Sequence, residues 1–217
     1  MSHWDSGTGG ALDLEGVAAD PATGFVYLGD EATSSVLEFD PNAETLTGES
    51  CGFGDLSTDI PGGLGMEGLA FVPSEYAPSS WPVDPMGYFI AGSQYVSGVN
   101  VYPASECAGG SIVTSIATLP SSNTDVSGIT FNEDTRRLYV LHDYPNTLDL
   151  MKLDGTVVAT YTLPDLDSSV DEQQEGVWVD ANDCEAGFGS LVIAIDNNSG
   201  LTNNGLWELP KFPITCR

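Results

Sequence analysis

Three glutamates in this 217-residue chain each stand directly before a glycine and a hydrophobic run. They are Glu15, Glu67 and Glu175, and Ser127 takes the same place in a fourth copy of the pattern. Carboxylate oxygens are hard ligands, and oxygen-only sites suit Ca²⁺ better than softer ions. If the three carboxylates came together without a cation, they would raise one another's pKa values. The pattern predicts a Ca²⁺ site at these glutamates, and the alternative is a structural clasp in which they hydrogen-bond a neighbouring backbone.

A second set of polar residues follows the next hydrophobic run in each copy of the pattern. We predict Asp30 and Asp196 as further metal ligands. If the site is catalytic, His142 or Asp143 is the candidate general base, and the alternative for His142 is a hydrogen-bonded structural histidine. The residues expected to contact a bound ligand are Glu31, Gln94, Tyr95, Tyr144 and Asn197, with Trp178 nearby.

The elements that must position these residues are short strands. Runs rich in Val, Ile, Leu, Tyr and Phe alternate with clusters of Gly, Pro, Asn, Asp and Ser, which is typical of antiparallel β-structure. The marker glycines Gly16, Gly68, Gly128 and Gly176 are separated by 52, 60 and 48 residues. A repeat of about 50 residues with three or four strands has the size of one propeller blade. We therefore predict an all-β fold, a four-bladed β-propeller, with a β-sandwich or a propeller of more blades as alternatives.

The predicted propeller is a single domain with blades at approximately 13–51, 65–119, 125–164 and 173–217. Fourth strands are expected at 45–50, 112–119 and 157–163, and either residues 4–12 or residues 212–216 could complete the last blade. In a blade, the start of the first strand and the end of the second lie on the same face of the disc. The predicted polar residues should therefore meet around one mouth of the central channel.

The charge balance excludes some partners and the cysteines suggest a compartment. Thirty-two acidic and five basic residues give a net charge of −27, which repels nucleic acid and anionic membranes. A solvated acidic surface of this kind suits salt water or brine, as in halophilic proteins.

The cysteines, none in a CxxC pair, predict two disulfides and a secreted or periplasmic protein. Three pairings are possible, and a bond between Cys184 and Cys216 would hold the chain end.

The first copy of the repeat resembles blades of two related groups of propellers. Residues 15–28, which read EGVAADPATGFVYL, precede Asp30-Glu31 and the segment 37–41. This arrangement is similar to SdiA-regulated and esterase-like-phytase propellers, and to gluconolactonase-like calcium propellers. The resemblance implies a secreted or periplasmic propeller with Ca²⁺ near the central channel. It also implies that Glu15 is a metal ligand, with Glu67 and Glu175 as its repeat equivalents. Those groups usually have five or six blades, whereas this chain has four repeats.

Three functions are compatible with this sequence. The first is a monomeric, calcium-stabilised module that binds a sugar, a peptide or another small molecule at the acidic mouth, without an organic cofactor. The second is a metal-dependent hydrolase of the lactonase or phosphoesterase type, in which the metal polarises the substrate and activates water. The third is a structural or assembly domain. The scarcity of Arg and Lys argues against phosphate substrates, because such side chains usually clamp phosphate.

Overall fold

The computed structural model describes residues 12–56, 65–95, 98–164, 172–181, 184–197 and 205–216. This part of the chain is all-β, and its regular helices are short 3₁₀ turns. Four small sheets, each built on antiparallel neighbours, are arranged as the blades of a propeller. The predicted all-β class and the four-bladed β-propeller are therefore confirmed. None of the described helices has the length and apolarity needed to cross a membrane.

The strands follow one another from the channel outwards in each blade. Blade 1 contains β1 (Leu14–Ala19), β2 (Val26–Asp30), β3 (Ser35–Asp40) and β4 (Thr45–Phe53). Blade 2 begins with β5 (Met66–Val72), β6 (Tyr88–Ser93) and β7 (Val99–Pro103), which are followed by β8 (Ser111–Val113) and β9 (Ala117–Leu119). Blade 3 contains β10 (Val126–Asn132), β11 (Arg137–His142), β12 (Thr147–Met151) and β13 (Val157–Thr162). Blade 4 contains β14 (Glu172–Asp180), β15 (Phe188–Asn197) and β16 (Gly205–Pro213).

The outer strand predicted at 112–119 is confirmed for residues 117–119 and wrong for residues 112–113, because the structure splits this segment between two blades. β9 pairs with β7 and completes blade 2, whereas β8 pairs in parallel with β4 and becomes a fifth strand of blade 1. The disulfide between Cys51 and Cys107 explains the exchange, since it holds the chain before β8 against the last part of β4. Blades 1 and 2 are thus joined by a covalent bond and by a shared sheet.

The last blade has three strands in the part of the chain that the structure describes. Phe212 and Pro213 belong to β16, so the predicted separate outer strand from the tail is not formed there. Residues 4–11, most of the other predicted closing segment, lie outside the described residues. The second disulfide joins Cys184 to Cys216, as one of the three predicted pairings had it. Two disulfides are typical of proteins that fold in an oxidising, extracellular-type environment.

The apolar side chains of the strands pack between neighbouring blades. One buried cluster lies between blades 1 and 2, a second between blades 2 and 3, and a third between blades 3 and 4. Aromatic pairs contribute to the first cluster, where the ring centroids of Tyr27 and Phe89 are 4.7 Å apart and those of Phe53 and Tyr102 are 4.0 Å apart. These interfaces bring the inner strands β1, β5, β10 and β14 together around the channel.

Each inner strand carries a β-bulge at the residue before its marker glycine. The pairing register shifts between Leu14 and Gly16, and the same shift precedes the other three marker glycines. A bulge leaves one residue out of the ladder and redirects its side chain. The glycine that follows allows the inner strands to approach closely, since an added Cβ at Gly68 would lie 2.7 Å from Ile129 Cγ1 and 3.1 Å from the Gly128 carbonyl carbon. In the repeated Glu-Gly pattern, the glycine therefore allows the inner strands to pack closely, and the bulge sets the direction of the glutamate side chain.

We expect Gly68→Ala to lower the free energy of unfolding by about 1–3 kcal/mol, because the new methyl group overpacks the contact between β5 and β10. The matched control is Gly176→Ala, where the added Cβ would meet, among the described residues, Ala194 Cβ alone, at 3.3 Å. Urea unfolding followed by tryptophan fluorescence would compare the two variants with the parent protein. Equal unfolding midpoints for both variants would contradict the close approach of β5 and β10.

Candidate metal centre

The four bulges bring three carboxylates from three blades to one point at the mouth of the channel. One carboxylate oxygen from each of Glu15, Glu67 and Glu175 can be chosen so that all lie within 4.8 Å of one another. Ser127 holds the equivalent bulge position in blade 3. The structure thus assembles the three glutamates that the sequence predicted as ligands. This distance is short enough for a single cation to contact all three groups.

A second carboxylate group shares Glu15 with the first. Asp13, Glu15 and Glu31 also offer oxygens within 4.8 Å of one another. The Glu31 backbone N–H donates to the Asp13 carbonyl oxygen at 2.8 Å, which holds the two segments together. The sequence predicted Glu31 as a ligand-contacting residue but missed Asp13. The available signal was proximity along the chain, because Asp13 stands two residues before Glu15.

Glu67 is the most buried member of the group, at 4% exposure. Burial, the charge of Glu31, a hydrogen bond with Glu31 and the charges of Glu15 and Glu175 together raise the pKa of Glu67 to about 10. The Gly65 N–H donates to Glu31 Oε1 at 3.0 Å and fixes the orientation of that carboxylate. Without a cation, this pKa keeps Glu67 protonated at neutral pH, and its carboxyl group hydrogen-bonds the carboxylate of Glu31.

The donor set at this point fits a hard cation. The converging ligands are carboxylate oxygens, without sulfur or imidazole in the two described groups. The Ser127 hydroxyl is fully buried and has no hydrogen-bond partner among the described residues. A buried polar oxygen without a partner costs free energy, and a bound ion or an ordered water would offset that cost. Oxygen donors of this kind are the ligands that Ca²⁺ prefers.

The other two predicted ligands are placed differently. Asp30 is buried, and its carboxylate accepts hydrogen bonds from the Asp13 backbone N–H and from the Thr33 hydroxyl. It belongs to neither carboxylate group, and it holds the segment before β1 beside the 3₁₀ turn Glu31–Thr33. The backbone of Asp196 pairs with Gln173 in blade 4, while the side chains of Asp196 and Asn197 lie outside the described part of the structure.

His142 is fully buried and held on both sides of its ring. Its Nδ1 lies 3.0 Å from the Thr124 carbonyl oxygen and its Nε2 lies 3.3 Å from Asp149 Oδ2. Burial alone would raise the pKa of Asp149, but hydrogen bonds from His142, Thr160 and Ser122 outweigh it and lower the pKa to about 2. This environment matches the structural alternative given for His142 in the sequence analysis.

Asp143 lies beside His142 at the end of β11. Its Oδ1 accepts a hydrogen bond from the Gln174 backbone N–H at 2.9 Å, which links blade 3 to blade 4 at the mouth. Burial raises the pKa of Asp143, the hydrogen bond from Gln174 opposes the shift, and the charge of Asp125 adds to it. Of the two predicted candidates for a general base, Asp143 is the one with partial solvent access.

Two of the predicted aromatic contact residues are on the rim of the mouth. Tyr95 is 63% exposed and Tyr144 is 78% exposed. The Tyr144 N–H donates to Asp125 Oδ2, and the carbonyl oxygen of Gln94, the residue before Tyr95, accepts from the Asp125 N–H. Tyr144 and Gln94 therefore contact the same inter-blade loop. Trp178 is elsewhere, because it lines a cavity of about 320 Å³ with Val17, Phe131 and other residues from the later parts of the inner strands.

Fold and site together define the class of this protein, a four-bladed β-propeller with a carboxylate-lined mouth. No family model and no curated protein matches the chain. Among solved structures, the chain is similar to Kuenenia stuttgartiensis hydrazine synthase, with a TM-score of 0.50 and 11% sequence identity. The similarity covers 91% of this chain and 54% of the other, so this chain spans about half of that protein's length. At this identity the likeness concerns the fold alone.

Proposed function

We propose that this propeller binds Ca²⁺ through Glu15, Glu67 and Glu175 and that the loaded mouth holds a sugar, a peptide or another small molecule. The observation that carries the proposal is the convergence of these three carboxylates, one from each of three blades, within 4.8 Å. Three separate bulges are needed to produce this convergence. A structural clasp would require only hydrogen bonds to neighbouring backbone, and it would not need the acidic side chains to face one another.

A bound divalent cation would relieve two costs at the mouth. The first is the repulsion among the carboxylates of Glu15, Glu67 and Glu31, which reach one another across a buried space. The second is the desolvation of the buried Glu67 carboxyl group and of the Ser127 hydroxyl. Both residues would offer oxygen to the same ion, so the proposed site would use groups that are otherwise unfavourable to bury.

The same coordination would leave room for a ligand. Ca²⁺ takes six to eight oxygen ligands, and three carboxylates with one hydroxyl do not fill that shell unless several are bidentate. Hydroxyl groups of a sugar or a carboxylate of a peptide could take the open positions. The exposed rings of Tyr95 and Tyr144 offer flat apolar surfaces beside the mouth, of the kind that combine stacking with a polar tip.

The hydrolase alternative has weaker support. A mouth metal could polarise a lactone carbonyl and lower the pKa of a bound water. The base would then be Asp143, because both ring nitrogens of His142 already face hydrogen-bond partners. We further propose that the protein is a secreted or periplasmic one adapted to high salt, which its disulfides and its net charge of −27 support.

Calorimetric titration of EDTA-treated, then dialysed protein with CaCl₂ would test the cation site. We expect one tight site per chain, and a free energy of unfolding raised by about 2.7 kcal/mol at a hundredfold excess of Ca²⁺ over Kd. MgCl₂ at the same ionic strength is the control, because it screens the acidic surface equally but fits a smaller octahedral site. A glycan and peptide array probed with and without Ca²⁺ would then test the ligand surface. Identical unfolding curves in Ca²⁺, Mg²⁺ and EDTA would refute the proposed site.

A further inference from the structure

A cleft between blades 3 and 4 lies away from the carboxylate mouth. It has a volume of about 530 Å³, within the usual range for small-molecule sites. Its polar lining includes Thr135, Arg137 and Tyr161, and its apolar lining includes Val158 and Ile214. Val158 is 49% exposed there, which leaves an accessible apolar wall. A concave surface of mixed apolar and polar lining is the usual form of a ligand site.

One basic residue lines this cleft, although the chain has only five of them against 32 acidic ones. It is Arg137, whereas the guanidinium of Arg136, the residue before it, lies over the Tyr76 ring. Lys152 follows the end of β12, where Met151 pairs with Leu138 next to Arg137. Lys211 stands two residues before Pro213, which also lines the cleft. The fifth, Arg217, lies outside the described residues. The cleft therefore has one cation in its lining, and Lys152 and Lys211 stand close to its lining residues along the chain.

The position of Arg137 is defined by its neighbours. One guanidinium nitrogen donates to the Arg136 carbonyl oxygen at 3.0 Å. Hydrogen bonds from the side chain and the N–H of Thr156 lower the pKa of Asp154, and the charges of Lys152 and Arg137 add to this shift. The charges of Lys152 and Arg137 thus act on the end of blade 3 at which Asp154 lies.

We propose that the cleft binds a small organic anion that carries a planar ring. Arg137 would hold the anionic group, because guanidinium matches the geometry of a carboxylate and forms charge-assisted hydrogen bonds. Tyr161 and Val158 would contact the ring. The ring of Tyr161 packs edge-on against Phe212, with centroids 4.8 Å apart, so its position is already restricted before binding. This restriction lowers the entropic cost of binding.

Three probes separate the features that the cleft is proposed to recognise. Benzoate has both ring and charge, benzamide has the ring without the charge, and acetate has the charge without the ring. The titrations are followed by the amide chemical shifts of the ¹⁵N-labelled protein. EDTA keeps the mouth free of a cation, and 0.5 M NaCl screens the long-range repulsion between the acidic protein and the anionic probes. We expect benzoate to shift the amides of Thr135, Tyr161 and Thr215, and we expect benzamide and acetate to bind at least tenfold more weakly.

The matched variants are Arg137→Gln and Arg136→Gln. We expect Arg137→Gln to weaken benzoate binding at least tenfold, and Arg136→Gln to leave it unchanged, since Arg136 lies over the Tyr76 ring with its Cζ 5.6 Å from the centroid. Benzoate that shifts no cleft amide, or that binds both variants equally, would overturn the proposal. So would benzamide that binds as well as benzoate. If Arg137→Gln does not fold, the comparison of the three probes on the parent protein decides the question.

Discussion

Glu67→Gln is expected to weaken Ca²⁺ binding at the mouth by roughly a hundredfold while the cation-free protein keeps its fold. The physical reason is that glutamine matches the shape of the protonated glutamate that the cation-free protein contains, but it cannot supply the charge that a cation needs. Glu67 is the central ligand candidate, because it lies among Glu15, Glu31 and Glu175. Calorimetric titration with CaCl₂ measures the loss. Glu44→Gln, in the exposed turn between β3 and β4 on the opposite face, is the control with the same change of charge.

The same variant has a distinctive pH dependence without a cation. The folded-state pKa of Glu67 is about 10 and its ordinary value is 4.5. Its contribution to stability is therefore fully present below pH 4.5 and is lost as the pH rises towards 10, because the unfolded chain releases a proton that the folded chain retains. Urea unfolding in EDTA at pH 5, 7 and 9 should show a growing advantage of Glu67→Gln over the parent. A constant difference across this range would contradict the raised pKa.

The blade count and the mouth could be predicted because their signals are local and repeated. Each Glu-Gly or Ser-Gly pair marks a bulge, and each bulge recurs about 50 residues later. Repetition specifies equivalent positions in equivalent sheets, so the meeting of Glu15, Glu67 and Glu175 follows from the fold class alone. Once four blades surround one axis, equivalent positions on the inner strands lie at the same end of the channel, so these three side chains come together there.

The features that the sequence did not specify depend on contacts between distant segments. The place of β8 beside β4 follows from the pairing of Cys51 with Cys107, and four cysteines allow three pairings. The role of Asp30 follows from its hydrogen bonds to Asp13 and Thr33, which periodicity does not encode. Neither residue type nor spacing distinguishes a buried, hydrogen-bonded carboxylate of this kind from a metal ligand.

His142 is the clearest example of a residue whose environment decides its role. From the sequence, a histidine at the end of a strand beside an acidic mouth is more often a structural residue than a general base. Its partners are Thr124, from the inter-blade loop, and Asp149, from the neighbouring strand β12. Both contacts are made in the interior, and the sequence shows neither the burial nor the direction of the ring.

Asp149→Ala is expected to lower the free energy of unfolding by about 3–5 kcal/mol, because it removes one member of a fully buried, hydrogen-bonded pair. The Asp149 carboxylate accepts from the Ser122 N–H at 2.7 Å, from the Ser122 hydroxyl at 2.7 Å and from the Thr160 hydroxyl at 2.6 Å, and it faces His142. Alanine would leave the fully buried imidazole without its Asp149 partner and would remove the acceptor of the Ser122 and Thr160 donors. Urea unfolding at pH 7 measures the loss, which is a large fraction of a typical domain's stability.

The sign of the pH dependence distinguishes this network from ordinary packing. The pKa of Asp149 is about 2 in the folded protein against an ordinary value of 3.8, so its contribution is present above pH 3.8 and is lost as the pH falls towards 2. The parent protein should lose this stability in acid, whereas Asp149→Ala has none of it to lose. The two unfolding midpoints should therefore converge between pH 4 and pH 2. Asp134→Asn, at an exposed position of the turn between β10 and β11, is the control and should leave the midpoint at pH 7 unchanged. If Asp149→Ala unfolds at the same urea concentration as Asp134→Asn, the carboxylate is not what holds His142 and the 120–125 loop in place.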